Sequence, residues 1–365
     1  MTCTFTRLRL LRRGPRHFST FLPTEKHSIY VSQSSDPYFN LTFENWLFKE
    51  KSTQEPLLLI YRDNPCVIIG RNQNPWKEVN IPALKRANIP FIRRHSGGGT
   101  VYHDMGNTNF SIHLPRSSFN RHVTARLVLR AVHSLDIDAW INERNDICVG
   151  PYKMIPPNIY VSGSAYKIVK DRAYHHGTML ISSQLRTLGD VLHVSKFEDW
   201  ISQESMVTRG VASVRSPVKN LIEFNPTVTH DAFIGAMVRV FRDEYRVEEP
   251  VQYIQASNAA NIPYIRDGIA ELPGWDWAFG QTPEFTYSIS RVFEWGNVAA
   301  KIRSKHGVIL SCSLTAEDGP DLMMLEKLGR ELEGQRYGFL DKTTSQDGCG
   351  QKQQVRQWLI EEMGS

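Results

Sequence analysis

The chain has 365 residues, 41% hydrophobic and 22% charged, with a formal net charge of +5 and no low-complexity tract. That composition excludes a disordered or fibrous chain, and no run of 18 apolar residues is present to form a membrane helix. The length allows two domains, or a large first domain followed by a smaller second one.

Much of the positive charge sits at the front. Arg7, Arg9, Arg12, Arg13 and Arg16 precede Glu25, the first acidic residue, among Ser, Thr, Leu and Phe. An Arg-rich, acid-free, hydroxylated segment has the pattern of a mitochondrial transit peptide, here residues 1–24, and implies the matrix as destination. Without that segment the charge is near zero, so a general polyanion-binding surface loses its support. The five cysteines, Cys3, Cys66, Cys148, Cys312 and Cys349, are scattered, with no CxxC or Cys/His spacing suited to a metal. They read as reduced and mostly structural.

Asp36-Pro37 pairs an N-cap residue with proline at the first helical turn, and Phe39, Phe43, Trp46 and Leu47 then recur at helical spacing. Pro56–Tyr61 and Cys66–Gly70 are short apolar runs separated by Asp63-Asn64-Pro65, as expected for strands covered on both faces. Residues 79–88 suit a short helix and Ile89–Arg93 a strand. The spacing of Val123, Leu127, Val128, Ala131, Val132 and Leu135 predicts a helix over 121–135, and strands follow at 145–149, 159–167 and 174–182. Strands and helices intermingle without a regular βαβ rhythm, which argues for an α+β class. From about residue 250 the texture changes. A turn-rich stretch, 258–273, precedes Trp275, Trp277, Phe279, Phe285, Trp295 and the run Val308-Ile309-Leu310, suggesting a small mixed domain. The expected division is 25–248 and 249–365.

Ser96-Gly97-Gly98-Gly99-Thr100 lies between a strand ending in Arg93-Arg94 and the strand-like Val101-Tyr102-His103. Three glycines permit positive φ and close approach of a ligand to main-chain N–H groups. Such amides form an anion-binding concavity, and neighbouring guanidinium groups clamp phosphate or carboxylate. Phosphate binding is the inference. No Lys-Ser/Thr follows, so this is no P-loop, and the GxGxxG spacing of a dinucleotide fingerprint is missing.

The run Arg93–Asp104, continued by Gly106-Asn107-Thr108-Asn109-Phe110-Ser111, resembles the lipoate-protein ligase A and lipoyltransferase family. The resemblance extends through Gly70–Trp76, Arg144-Asn145-Asp146, Val161–Tyr166, Asp171–Thr178, Ser213–Leu221 and Trp275–Gln281, and so covers nearly the whole chain after residue 30. It implies a catalytic fold shared with biotin ligases and class II aminoacyl-tRNA synthetases, a mixed sheet flanked by helices, with a small C-terminal α+β accessory domain. It implies that lipoate attacks the α-phosphate of ATP, with Mg2+, to give lipoyl-AMP. The lipoyl group then passes to a lysine on lipoyl domains of 2-oxoacid dehydrogenase E2 subunits and glycine cleavage H protein. A monomer with no nucleic-acid partner is expected. The alternatives are a transferase that takes a preformed lipoyl or octanoyl donor, and an impaired homologue that only binds lipoyl domains.

By motif position, the resemblance implies that Arg94, Gly99, Thr100, Val101, Tyr102, Arg144 and Thr178 surround the adenylate. Ser96, Gly97 and Gly98 are expected at the substrate pocket. Trp76 is either an apolar wall of that pocket or core. His175 and His176 are adjacent on a strand and face opposite ways, so they do not jointly hold a metal; His175 is assigned to the pocket, and no metal ligands are assigned. The family pattern also carries a lysine, then an aliphatic residue, then Ser-Gly-Ser-Ala, and its ammonium neutralises charge on the α-phosphate and the carbonyl oxyanion. Here Tyr160 precedes Val161. Removing residues 154–160 would join Lys153 to Val161, so these seven residues are read as an insertion, real or from a misplaced exon boundary. Lys153 is then the catalytic candidate, with Pro156-Pro157 suiting a protruding loop.

Overall fold

The computed structural model describes residues 28–150, 159–192, 206–214, 216–316, 321–340 and 350–364. The transit-peptide segment, Lys153 with residues 154–158, Cys3 and Cys349 lie outside the described residues.

β1 (Ile29–Ser32) leads into α1 (Pro37–Glu50), where the Asp36 carboxylate accepts from the Tyr38 amide at 2.9 Å and Pro37 opens the first turn, as expected. β2 (Leu57–Tyr61) and β3 (Cys66–Ile69) follow, then the short α2 (Pro75–Glu78) and α3 (Ile81–Ala87). β4 (Phe91–Arg93) and β5 (Val101–His103) bracket the glycine turn, and β6 (Asn107–Pro115) precedes α4 (Arg121–His133). Next come β7 (Ala139–Ile141), β8 (Ile147–Val149), β9 (Ile159–Tyr160), β10 (Ser164–Ile168) and β11 (Arg172–Leu180). The strand expected over 159–167 is thus two strands, because the chain leaves the small β7-β8-β9 sheet at Val161 and joins the large sheet at Ser164. After α5 (Leu185–Leu192) and β12 (Met206–Thr208) come α6 (His230–Tyr245) and β13 (Gln252–Ile254). Three helices, α7 (Ala256–Ala259), α8 (Pro263–Glu271) and α9 (Trp275–Ala278), lead to β14 (Phe285–Phe293), β15 (Gly296–Lys305) and β16 (Val308–Ala316). The chain ends in α10 (Leu322–Leu332) and α11 (Gly350–Glu362).

The large sheet has the order β10-β11-β6-β2-β1-β13, with β1 parallel to β2 and β13 and the other pairs antiparallel. Leu58 and Ile60 of β2 pack with Leu127 and Val128 of α4 and Phe233 and Phe241 of α6. Leu57, Leu59 and Tyr61 face the other way, onto Phe43 and Trp46 of α1 and Ile265 of α8. Burial on both faces is why β2 reads as an unbroken apolar run rather than an alternating one. This is the expected α+β architecture, a mixed sheet flanked by helices.

A second, four-stranded antiparallel sheet, β12-β14-β15-β16, packs Val298, Ile302 and Ile309 against Leu325, Leu328, Trp358 and Leu359 of α10 and α11. The division expected at 248/249 runs through continuous packing. β13 joins the first sheet beside β1, α8 packs on α1, and Trp277 shares a core with Cys66, Ile68 and Ile92. The turn-rich composition after residue 250 reflects short helices wrapped on the first layer, and the second core takes over only at Phe285. Among the described residues, no helix is long and apolar enough to cross a membrane.

Arg93 fastens these pieces. Fully buried, it donates from Nε to the Ala278 carbonyl at 2.8 Å and from Nη2 to Thr282 Oγ1 at 3.0 Å. From Nη1 it donates to the carbonyls of Gly70, Arg71 and Gln73 at 3.2, 2.8 and 2.9 Å. The Trp277 indole returns a bond to the Arg93 carbonyl at 2.8 Å. Burial pulls the guanidinium down to about 10, which still leaves it charged at neutral pH. Arg93→Met keeps the stem but takes their donor from the buried Gln73 and Ala278 carbonyls and from that of Arg71, while the Gly70 carbonyl keeps the Gln73 amide at 3.2 Å. It is expected to cost about 3 kcal/mol or more in urea unfolding, since each orphaned buried acceptor costs roughly 1–3 kcal/mol. A loss below about 1 kcal/mol would show that those carbonyls find other partners.

Candidate active site

The glycine turn is shaped by two close approaches. A Cβ on Gly70 would lie 2.1 Å from the Gly98 carbonyl oxygen, so the β3 exit and the turn touch only because residue 70 has no side chain. Gly98 itself has φ +86°, and a Cβ there would meet the Ala165 Cβ at 2.8 Å.

Behind the turn stands Arg94, buried at 4% exposure. Its Nε donates to Ser96 Oγ at 2.8 Å, Nη1 to the Ile68 carbonyl at 3.3 Å, and Nη2 to the carbonyls of Gly97 and Gly99 at 2.6 and 2.7 Å. Among the described residues, four of its five N–H groups are used on the protein and the second one on Nη1 has no partner. Burial lowers its guanidinium to about 10, partly offset by Tyr174, Glu44 and Tyr61. The expectation of phosphate contact is thereby sharpened: Arg94 first of all bends the turn by drawing its carbonyls backward.

The turn forms one wall of a cavity of about 470 Å³. Gly98, Gly99, Thr100, Val101, Tyr102, Arg94, Arg144 and Thr178 all line it, so eight of the residues singled out in the sequence meet around one space. Leu41, Tyr61 and Ile68 supply apolar lining. Asp146 lines it too. Its carboxylate lies 3.3 Å from Arg144 Nη2, and burial raises its pKa, with Arg144 opposing. Thr178 Oγ1 accepts from the Gly163 amide at 3.0 Å.

Several expectations are corrected. His176, not His175, lines the cavity. Strand alternation turns His175 toward α4, where it bonds Thr124 Oγ1 and Ser164 Oγ at 3.0 and 3.1 Å, and burial drives its pKa down to about 3. His176 Nδ1 meets the Glu44 carboxylate of α1 at 3.0 Å and its Nε2 meets Ser96 Oγ at 2.9 Å. Ser96 and Gly97 therefore sit behind the cavity wall as support, because Ser96 Oγ is spent on Arg94 and His176. Trp76 lies in the second core against Phe279, Phe285 and Tyr337, with ring centroids 5.6, 5.7 and 4.8 Å away; its neighbours Lys77 and Glu78 line the cavity instead.

Lys153 lies outside the described residues, but the position directly before Val161 is described. Tyr160 occupies it, lining the cavity and pairing with Cys148. Its amide donates to the Pro217 carbonyl at 2.9 Å and its carbonyl accepts from the Lys219 amide at 3.0 Å. The last two residues of the seven read as an insertion, Ile159 and Tyr160, are thus strand held from both sides rather than protruding loop.

Three potential metal ligands that no sequence spacing revealed, Asp63, Cys66 and His103, come within 4.8 Å of one another. Asp63 already accepts from His103 Nδ1 at 2.8 Å, Asn40 Nδ2 at 2.8 Å and Asn109 Nδ2 at 3.3 Å, and burial pushes the Cys66 thiol well up. The Asp63 carboxylate is thus already engaged by three protein donors, and the group reads as a hydrogen-bonded lock beside β5. Cys66, Cys148 and Cys312 are free and buried.

Residues 36–242 match the family model for the lipoyl protein ligase A/B catalytic domain. The chain is 32% identical over 351 residues to lipoate-protein ligase A of Psychrobacter cryohalolentis, covering 93% of this chain and 99% of that protein. Among solved structures it is similar to P. falciparum LipL1 in complex with lipoate, at 26% identity and a TM-score of 0.59, covering 92% of this chain and 99% of that one. It is similar in fold to the bipartite lipoate protein ligase of Thermoplasma acidophilum, described with its E2 lipoyl domain, at 24% identity and a TM-score of 0.56, covering 70% and 96%. The fold is also that of lipoate-protein ligase A bound with ATP, at 22% identity and a TM-score of 0.55, covering 69% and 98%.

The buried Glu44 and His175 both contribute to the acid stability. For Glu44, burial would raise the carboxyl above its ordinary 4.5, but His176, with His113 and Ser111, pulls it down to about 2. The fold thus favours the ionised form, and that stabilisation is complete above about 4.5 and lost as pH falls toward about 2. His175 stays neutral in the fold down to about 3 while the unfolded chain takes up a proton near 6.5, so it subtracts stability across that window. Urea midpoints measured from pH 7 to 3 should fall steadily for the wild type. Glu44→Gln should be less stable at neutral pH and show a flatter fall below about 4.5; an unchanged acid slope would refute the assignment.

Proposed function

The chain belongs to the lipoyl protein ligase A/B catalytic family, and on that premise we propose that it activates lipoate with ATP to lipoyl-AMP and passes the lipoyl group to a lysine of a lipoyl domain. The observation that carries this reading is one cavity whose walls combine apolar side chains with an anion cradle: Leu41, Tyr61 and Ile68 beside the glycine turn, Arg144 and Thr178. An acyl chain and a phosphate need those two chemistries in the same space.

In the first step a lipoate carboxylate oxygen bonds to the α-phosphorus and the bond to pyrophosphate breaks. In the second, the lysine amine attacks the acyl carbon, AMP departs with the electron pair of the carbon–oxygen bond, and the amine loses a proton. Both steps build negative charge on oxygen. A turn held in shape by Arg94 supplies N–H groups without reorganising at the moment of reaction. Arg144, at 50% side-chain exposure, is free enough to close on a bound phosphate. Mg2+ brought with ATP would be held by Asp146, whose buried Oδ2 has the Arg144 guanidinium beside it at 3.3 Å, and it would neutralise phosphate charge.

Lys153 is the proposed source of the remaining positive charge, on the strength of the family pattern and its distance in sequence from Arg144. Tyr160 in the lysine's position favours a second reading, a transferase that accepts preformed lipoyl-AMP. The proposed acceptors are lipoyl domains of 2-oxoacid dehydrogenase E2 subunits and glycine cleavage H protein. The proposed location is the mitochondrial matrix, supported by the composition of residues 1–24, and the proposed working form is a monomer.

Purified protein incubated with Mg-ATP, lipoate and an apo lipoyl domain should add one lipoyl mass to the domain. Lys153→Ala should slow lipoate-dependent pyrophosphate release by about 100-fold or more, the scale of losing one electrostatic group at a transition state. Modification at the wild-type rate after Lys153→Ala would remove that residue from the mechanism. Modification only when lipoyl-AMP is supplied would establish the transferase reading.

A further inference from the structure

Gln73 is fully buried and its side-chain amide has all four hydrogen-bonding positions occupied. Its Oε1 accepts from the Gly70 amide at 2.9 Å and from Thr100 Oγ1 at 3.0 Å. Its Nε2 donates to the Val211 carbonyl at 3.2 Å and to Ser213 Oγ at 3.0 Å. One side chain thereby joins three segments that are far apart in sequence: the β3 exit, the glycine turn and the segment 211–213. Ser213 completes the joint, its Oγ accepting from the Thr100 amide at 2.9 Å and its own amide donating to Glu78 Oε2 at 3.1 Å. The Val211 amide donates to the Asn72 carbonyl at 3.0 Å.

Ala212, Ser213 and Val214 line the cavity, whereas Gln73 does not. Segment 211–214 has no helix or strand pairing of its own. Its position as a wall therefore depends on these few bonds, two of them made by the Gln73 side chain and one by the Asn72 carbonyl. Both lone pairs of Ser213 Oγ are used by Gln73 and Thr100, which leaves the hydroxyl hydrogen as a donor at the cavity wall.

We propose that Gln73 is a positioning residue for the nucleotide: it locks Ser213 and segment 211–213 against the glycine turn and so completes the wall that holds the phosphate-bearing half of the substrate. The proposal rests on the ATP-dependent reading above. Gln73 touches no ligand in this scheme and acts through Ser213 and Thr100. It follows that its loss should weaken ATP without weakening lipoate, because Leu41, Tyr61 and Ile68 do not depend on the joint.

The test compares Gln73→Met, Ser213→Ala and the double variant in the full chain. Gln73→Met should raise KM for ATP about fivefold to tenfold, the scale of one net hydrogen bond, with kcat and KM for lipoate within about twofold. Ser213→Ala, at the cavity wall, should change KM for ATP in the same direction. The double variant should raise KM for ATP by less than the product of the two single effects, because the Gln73–Ser213 contact is lost in both. Hydrogen exchange of the Thr100 and Val211 amides should quicken in Gln73→Met while the β6 and β11 amides stay protected. Multiplying KM effects, or unchanged exchange at Thr100, would overturn the proposal. If the wild type forms no lipoyl-AMP from ATP and lipoate, the activation reading fails, and the exchange comparison still decides whether Gln73 holds the wall.

Discussion

Two buried guanidinium groups at the end of a three-residue strand hold the two halves of this molecule in register. Arg93 is the last residue of β4 and Arg94 the next, and consecutive extended residues point to opposite sides, so the two serve different neighbours. Arg94 gathers the carbonyls of Ile68, Gly97 and Gly99 and bends the glycine turn. Arg93 gathers those of Gly70, Arg71, Gln73 and Ala278 and ties the loop after β3 to the segment leading into the second sheet. Among the described residues, neither hydrogen-bonds a carboxylate. Each charge is solvated by peptide dipoles, which is how a buried cation avoids the penalty of an unpaired ion. Because a guanidinium presents its donors in a rigid fork, the acceptors it collects are fixed in direction as well as distance.

The site inherits its order from that arrangement. Arg93 holds the main chain of Gln73, and the Gln73 side chain holds Thr100 and Ser213. The cavity wall and the anchorage of the second layer therefore share a residue. Trp277 closes the same circuit from the other direction, packing on Cys66 and Ile68 while its indole binds the Arg93 carbonyl. A change in how the C-terminal layer sits would be felt at the cavity wall through a few short, directional bonds rather than through bulk packing.

Polar groups beneath the cavity make a second tier. Glu44, His176 and Ser96 run from α1 to the back of the turn, at spacings of 3.0 and 2.9 Å. With Glu44 ionised, His176 Nδ1 is the donor to it, and Ser96 is gripped by both His176 and Arg94. Satisfied in this way, a buried polar chain specifies one arrangement of side chains, where an apolar packing would tolerate several.

Features that depend on near neighbours in sequence were legible. Asp36-Pro37 starts a helix because its cap and proline act within one turn, and β2 reads as two-faced because every residue in the run is apolar. The glycine turn itself was legible because positive φ and bare backbone are properties of glycine. Which side chains met around that turn was decided by pairing between distant elements. Alternation made His175 and His176 face apart, but only the placement of α4 over one face and α1 over the other put His176 at the cavity. Trp76 had to choose between a pocket and a core, and the core that claimed it is built from residues some 200 positions later. The strand β13 joined the first sheet although its surroundings in sequence look like another domain, because backbone pairing with β1 needs no composition cue. Sequence alone thus determined where chain direction changes and where a bare glycine turn lies. Tertiary structure decided which buried charges hold that site in shape, since a guanidinium's partners are carbonyls, and a carbonyl's position leaves no mark in the sequence.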